Sequence, residues 1–317
     1  MHTVPVSATT KPLRLVVAIN PTASFGKSRD VGPAVVQTLR ALGHDVTSLQ
    51  EPDFEQLMAA GRKAVASRPD ALVVVGGDGM VNLGTNLVAG SKVPLGIVPS
   101  GTGNDMARGL GIPYENTEAA IATLVEAFTR PARLIDAGLV RLTDDETGLP
   151  AERWFLCVLS AGFDAIVNER ANHMRRPKGA SRYQIALALE LVKLRPIPYR
   201  LVLDGNELVT DGALISVGNS VSLGGGMKVT PHAKLDDGLF DVLVVQPLGR
   251  IAFLRLFPSV FKGTHVRDPR VAIHRAKRIR IESDGVVAYA DGERFATLPV
   301  DIECIPNAVR ILAPAVD

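Results

Sequence analysis

The chain has 317 residues, 46% of them apolar, with 35 Lys and Arg against 33 Asp and Glu and a formal net charge of +2. That length makes about two domains, each able to bury its own core. The balanced charge excludes a disordered acidic chain and a basic nucleic-acid coat, so no nucleic acid is expected as a partner. With two cysteines, Cys157 and Cys304, and no paired-histidine motif, a disulfide framework and a cysteine-rich zinc site are excluded as well. The mean hydropathy of +0.18 is high. Yet no window approaches the ~18 consecutive apolar residues of a membrane span. Met1–Pro12 has no apolar core, so no secretory signal is expected and the cytoplasm is the expected compartment.

In chain order, Leu15–Ile19 predicts a buried strand closed by the breaker Asn20-Pro21. Val31, Val35, Leu39 and Leu42 recur at helical spacing, with Gly43 as the stop. Val46–Leu49 predicts a second strand. Phe54, Leu57, Met58, Gly61 and Val65 predict a second amphipathic helix, and Ala71–Val75 a third strand closed by Gly76-Gly77-Asp78-Gly79. A short helix over Met80–Val88 and a strand over Leu95–Val98 complete a β-α-β-α-β order, hence a doubly wound, mostly parallel sheet.

After about residue 135 strands dominate: Leu134–Leu142, Trp154–Leu159, Tyr199–Leu203, Ala213–Val217, Leu239–Val245, Ile279–Glu282 and Val286–Tyr289. Helices over Ser181–Leu194 and Arg250–Lys262 interrupt them, and Thr143–Glu152 reads as a polar, exposed loop. The expected fold is α/β, with a parallel N-terminal domain over 1–135 and an antiparallel β domain over 136–305. Val309–Leu312 is expected to return as a strand, which assigns 306–317 to the first domain.

Ligands of open parallel sheets bind at the carboxyl ends of the strands. Three such ends carry loops rich in glycine and small hydroxyls: Asn20-Pro21-Thr22-Ala23-Ser24 running on to Ser28, Gly76-Gly77-Asp78-Gly79-Met80-Val81-Asn82, and Pro99-Ser100-Gly101-Thr102-Gly103-Asn104-Asp105. Together they predict a nucleotide phosphate cradle built from backbone N–H groups and helix N-termini. Gly26-Lys27-Ser28 is not a P-loop, because the first glycine position is Pro21. Gly101-x-Gly103 is not a dinucleotide fingerprint, because the third glycine position is Met106.

A carboxylate between glycines beside a phosphate site is electrostatically costly unless Mg²⁺ lies between, which singles out Asp78. Asp105 reads either as its partner or as a helix N-cap. Asp291-Gly292-Glu293 reads either as further site acids or as an Asp-Gly hairpin turn, and Asp236-Asp237-Gly238 has the same two readings.

The run Gly76-Gly-Asp-Gly-x-x-Asn82 followed by Pro99-Ser-Gly-Thr-Gly-Asn-Asp-Met-Ala-Arg108 resembles the diacylglycerol kinase catalytic domain, whose relatives include sphingosine and ceramide kinases. Gly162-Phe163-Asp164, Gly218-Asn219, Gly224-Gly225-Gly226, Pro231, Leu235-Asp-Asp-Gly-x-Phe-Asp241 and Asp291-Gly-Glu293 extend the resemblance over roughly residues 14 to 314. It implies an NAD-kinase-like first domain, a β-sandwich second domain, and ATP and Mg²⁺ between them. Asn20 to Ser24 would contact the nucleotide, while Gly76 to Asn82 and Thr102 would hold phosphates. Asp78 and Asp105 would organise the metal, Asp291 would act as general base on a lipid hydroxyl, and Glu293 would assist. A structural Mg²⁺ would take the Asp237 carboxylate and the carbonyls of Lys234 and Leu239. Ser24-Phe25 stands where many relatives have a glycine. A homodimer through a sheet edge is a further implication.

Two basic windows flank the reading of a membrane substrate. One holds Arg170, Arg175, Arg176, Lys178 and Arg182; the other holds Lys262, Arg267, Arg270, Arg275, Lys277, Arg278 and Arg280. With Ile251-Ala-Phe-Leu-Arg-Leu-Phe257 they match what an interfacial helix presents to anionic lipid. The function implied is transfer of the ATP γ-phosphate to a lipid such as diacylglycerol, giving phosphatidic acid. Alternatives are a sphingoid or ceramide kinase, an NAD kinase (Asn168-Glu169 and Asn206-Glu207 superficially fit) and a non-catalytic lipid-binding regulator.

Overall fold

The computed structural model describes residues 11–20, 30–174, 185–186, 189–191, 193 and 195–315. Its first half runs β1 (Arg14–Ile19), α1 (Val31–Ala41), β2 (Asp45–Leu49), α2 (Phe54–Ala66), β3 (Ala71–Gly76), α3 (Asp78–Val88), β4 (Leu95–Pro99), α4 (Asp105–Gly109) and α5 (Thr117–Ala127). The strands lie parallel in the order β2-β1-β3-β4. All six residues of β3 are buried, as a strand covered on both faces requires. The helix starts follow capping chemistry: Asp53 accepts from the Gln56 N–H at α2, and Asn116 from the Ala119 N–H at α5.

The second half contains β5 (Arg133–Thr143), β6 (Pro150–Phe155), β7 (Val158–Gly162), α6 (Phe163–His173), β8 (Ile197–Leu203), β9 (Asn206–Gly212), β10 (Leu214–Gly218) and β11 (Phe240–Val245). It continues with α7 (Arg250–Lys262), a 3₁₀ turn (His265–Arg267), β12 (Val271–Ala276), β13 (Arg278–Glu282), β14 (Val287–Ala290), β15 (Glu293–Thr297) and β16 (Val300–Leu312). One antiparallel sheet has the order β12-β11-β10-β7-β14-β15. It packs on the antiparallel extension of the first sheet. Leu159, Ile215, Val217 and Val242 from one side meet Tyr199, Leu201, Ile279 and Ile302 from the other.

The strand β16 joins the halves. Ile311 and Leu312 pair in parallel with β4, while Val300 to Glu303 pair antiparallel with β13. Along its other flank β16 pairs with β5, with an irregularity between Ile305 and Val309. The expected return of Val309–Leu312 to the parallel sheet is therefore observed, as the last turn of a much longer strand.

Some expectations are corrected. Trp154–Leu159 is not one strand: β6 and β7 belong to different sheets and part at Leu156-Cys157, whose N–H groups bond to the Asp291 carboxylate instead of a ladder. The polar segment Thr143–Glu152 is a loop only in part, since β6 begins at Pro150. The helix α3 begins at Asp78, not Met80. The helix expected over Ser181–Leu194 lies largely outside the described residues. Arg250–Lys262 forms as expected. Among the described residues no helix is long and apolar enough to cross a membrane.

Candidate active site

The loops after β3 and β4 cross each other backbone to backbone. A Cβ on Gly77 would lie 3.0 Å from the Gly101 Cα. Asn104, held at φ +53°, ties the second loop: its side chain accepts from the Gly101 N–H at 3.1 Å and donates to the Gly101 carbonyl at 2.8 Å. The N-cap of α3 is Gly77, which has no side chain to occupy the first-turn N–H groups, so that helix start faces the loop crossing with its positive end. Thr102 is exposed on the same loop.

Three acids meet at this end of the sheet. Asp78 Oδ1 accepts from the Asp105 N–H at 2.7 Å. A Cβ on Gly103 would sit 2.5 Å from Asp78 Oδ2 and 3.4 Å from Asp105 Oδ2, so only glycine passes between the two carboxylates. Burial, then the Asp105 charge, push the Asp78 carboxyl up to about 6. The Asp105 carboxylate is not an N-cap. It accepts from Gly225 N–H at 2.9 Å and Gly226 N–H at 2.8 Å, bridging to a loop of the second half, while Asn104 holds the cap position.

The third acid, Asp291, turns the β14–β15 hairpin at φ +51°, as the hairpin reading expects, and that turn carries it to the cavity that Asp78 and Asp105 also line. Its Oδ1 accepts from Cys157 N–H (2.8 Å) and Val158 N–H (3.3 Å), and its Oδ2 from Leu156 N–H (2.8 Å) and, at 3.4 Å, from Asn82 Nδ2. Burial raises its pKa; the amides pull the other way without cancelling it. Glu293 lies beside Gly79, where a Cβ would come 2.9 Å from its Oε1. The neighbouring Cys157 thiol is pushed up by burial and by Asp291, which makes it inert.

Among the described residues no Lys or Arg forms an ion pair with Asp78, Asp105 or Asp291, and no three acidic, His or Cys side chains converge as direct metal donors. A raised carboxyl beside two further acids with no compensating cation is a donor set that fits Mg²⁺ carrying several waters.

From these acids a cavity of about 290 Å³ extends into the second half. One wall is the outer face of β10 and β11, with Ser216, Leu243 and Val245; the other is α7, with Phe253, Leu256 and Phe257. Phe253 meets Phe163 edge-on at 4.8 Å and stacks on Phe257. The sequence reading missed this cavity. The helical spacing of Phe253, Phe257 and Phe261 was its one available signal.

The remaining expected site residues are distributed as follows. Asn20 ends β1, its N–H bonded to the Val75 carbonyl. Pro21, Thr22, Ala23 and Ser24 lie outside the described residues. Met80 and Val81 bury their side chains in the core, and both N–H groups bond to the Gly77 carbonyl. Buried Asp136 accepts from Gly238 N–H (2.7 Å) and Asn307 N–H (2.9 Å), which fixes the turn from Lys234 to Leu239. There the Asp237 carboxylate accepts from Leu239 N–H and pairs with Arg275, so its charge is already balanced.

Of the second basic window, Arg270 pairs with Asp268, Arg278 with Glu303, and Arg280 with Glu282 and Asp301. The acids that pair with Arg278 and Arg280 lie outside the window in sequence and beside it in space. In the first window Arg170 pairs with Glu190, and residues 175 to 182 lie outside the described residues.

Glycine-rich loops facing an acid cluster, on a parallel sheet continued into a β-sandwich, define a kinase of two joined halves. Comparison with known proteins agrees. Residues 14–137 match the diacylglycerol kinase catalytic domain, and residues 157–313 match the YegS C-terminal NAD kinase beta sandwich-like domain. The chain is 41% identical over 305 residues to a diacylglycerol kinase of Mycobacterium tuberculosis, covering 95% of each. It is 25% identical over 305 residues to a diacylglycerol kinase of Bacillus subtilis, covering 95% of this chain and 96% of the relative.

The chain belongs to the diacylglycerol kinase family and is a kinase of the lipid-kinase class. Its fold is shared with a diacylglycerol kinase structure from Bacillus anthracis (TM-score 0.68, 24% identity, 96% and 98% of the two chains). It is shared more distantly with yeast NADH kinase (TM-score 0.54, 11% identity, 95% and 82%).

Proposed function

We propose that this enzyme transfers the γ-phosphate of ATP to the hydroxyl of diacylglycerol, giving phosphatidic acid. The observation that carries the reading is the junction of an apolar cavity with Asp78, Asp105 and Asp291. An acyl chain in the cavity brings a lipid head to the acids, whereas a nucleotide acceptor such as NAD has no use for walls of Phe and Leu.

The loop amides of Gly76 to Gly79 and Gly101 to Gly103, with Thr102, position the phosphates; Asn20 to Ser24 flank the nucleotide. Mg²⁺, when bound, neutralises charge developing on the γ-phosphate, and Asp78 and Asp105 are the residues that would hold it. Asp291 accepts the lipid proton at its carboxylate, which lines the cavity. Its raised affinity for a proton suits a general base better than an ordinary exposed carboxylate would. Glu293 assists near the metal. A structural Mg²⁺ at Lys234, Asp237 and Leu239 belongs to this reading and would compete with Arg275 for Asp237.

The reading includes reversible contact with the anionic inner face of the cytoplasmic membrane. With Arg270, Arg278 and Arg280 engaged by acids, support for it narrows to α7. Its outer side exposes Ile251 (68%), Leu254 (58%) and Phe261 (49%) beside Arg250, Arg255 and Lys262, while its inner side walls the cavity. A homodimer would use the open edge strand β9.

The test is a radiolabelled-ATP assay on diacylglycerol, monoacylglycerol, ceramide, sphingosine, undecaprenol and NAD, with Asp291→Asn as control. Label in phosphatidic acid, absent from the variant, is the expected result. Label in NAD alone, or in no acceptor, overturns the reading.

A further inference from the structure

We propose that Ser216 and His265 form a polar subsite for the acceptor lipid, holding the carbonyl-bearing linkage, ester or amide, that joins its acyl chain to its head. The inference rests on the lipid-kinase reading above and deepens it.

Ser216 sits in the middle of β10. Its neighbours Ile215 and Val217 point into the sandwich core, so by strand alternation Ser216 faces the other side, where the cavity lies. It is fully buried, and its Oγ has no hydrogen-bond partner. His265, in the 3₁₀ turn after α7, is 3% exposed and also lines the cavity. Its Nε2 lies 3.0 Å from the Val229 carbonyl, which assigns the proton to that nitrogen. Nδ1 is left as a lone-pair acceptor, buried and without a partner. Burial also lowers the ring pKa, which keeps it neutral.

Two unsatisfied polar atoms in a largely apolar wall, with a third at Ser160 Oγ opposite Ser216 on β7, are energetically expensive. Packing alone is better served by Ala and Phe at these positions. The cost is offset when a ligand supplies the missing partners.

The spacing fits a lipid head. Gly218 lies two residues from Ser216 on the same face and pairs with Val158, whose N–H donates to Asp291. The strand rise puts Ser216 about 7 Å from that row. That is comparable to the separation between the free hydroxyl of a glycerol or sphingoid head and the first carbonyl of its acyl chain. Ser216 Oγ–H donates to this carbonyl. His265 Nδ1 accepts from an amide N–H directly, or from a water bridging to an ester.

The experiment compares kcat/KM for dioctanoylglycerol, its dioctyl ether analogue and N-octanoyl sphingosine, in the parent and in Ser216→Ala. The parent is expected to prefer a carbonyl-bearing lipid over the ether by about tenfold, the value of one buried hydrogen bond. Preference for the ester or for the amide identifies which linkage is read. In Ser216→Ala the carbonyl-to-ether ratio falls towards one, KM for ATP holds, and thermal stability does not drop, because the deleted hydroxyl has no partner to lose. An unchanged ratio, or an equal fall on all lipids, overturns the subsite while leaving the kinase reading intact. A parent inactive on all three lipids overturns the kinase reading and the subsite with it.

Discussion

Gly77 and Gly101 touch through their backbones: a methyl group on Gly77 would lie 3.0 Å from the Gly101 Cα, and one on Gly101 would come closer still to Gly77. Two loops, proposed above to hold the phosphates, can share one small volume only because neither has a side chain there. Gly101→Ala is expected to force the loops apart. The change should cost about 1–3 kcal/mol of stability and at least ~tenfold in ATP affinity. Nucleotide titration and thermal unfolding of the same variant check both.

Asp78 has a pH signature. Its carboxyl is raised to about 6 in the folded chain against ~3.9 unfolded. Between those values the unfolded chain ionises and the folded site does not, so the folded state loses stability as pH rises. The full penalty, about 3 kcal/mol, is present above pH 6. Asp78→Asn keeps an acceptor for the Asp105 N–H and lacks the penalty. In chelator it should therefore melt above the parent at pH 8 and level with it at pH 4. Added Mg²⁺ should raise the parent at pH 8 and leave the variant nearly unmoved.

Asp291→Asn should lower kcat by ~10²–10⁴-fold with ATP affinity retained. It should also unfold more easily, by about 1–3 kcal/mol. The new amide N–H₂ would face the N–H groups of Leu156 or of Cys157 and Val158, where a carboxylate satisfies all three. Equal stability of parent and variant would contradict the hydrogen-bonding account.

Leu256→Trp should fill part of the cavity behind the acids. KM for long-chain lipid should rise several-fold while KM for ATP holds, and short-chain lipid should be affected least. A uniform fall in kcat on all chain lengths would place the acyl chain elsewhere.

Ile251→Glu with Leu254→Glu tests the outer side of α7. Both side chains are exposed, so stability should change by no more than ~0.5 kcal/mol per site. Co-sedimentation with anionic vesicles should fall about tenfold or more, with activity on dispersed short-chain lipid kept. Undiminished vesicle binding would remove α7 from the membrane reading.

The parallel half of the fold was legible because its strands are continuous apolar runs closed by glycine or proline, as at Ala71–Gly76. Asp78, Asp105 and Asp291 were legible as acids at glycine turns, and Asn82 and Thr102 through the family pattern. What was hidden depends on contacts distant in sequence. Leu156 and Cys157 read as strand residues, yet their amides are diverted to Asp291, 134 positions away from Cys157. The edge strand β9, with its mostly exposed and polar residues, carries too few apolar side chains to declare itself. Ser216 carries no motif, because its significance lies in the partner it lacks.

The shared strand β16 has a mechanical consequence. It is hydrogen-bonded to β5 on one flank, and to β4 and β13 at its two ends on the other. Swinging one half against the other would break ladder bonds, so the halves behave as a single stiff frame and not as jaws on a hinge. On the lipid-kinase reading proposed above, access for a bulky acceptor then falls to the element that is only laid on that frame: α7, held between Gly249 and Gly263, with one buried side chain of its own.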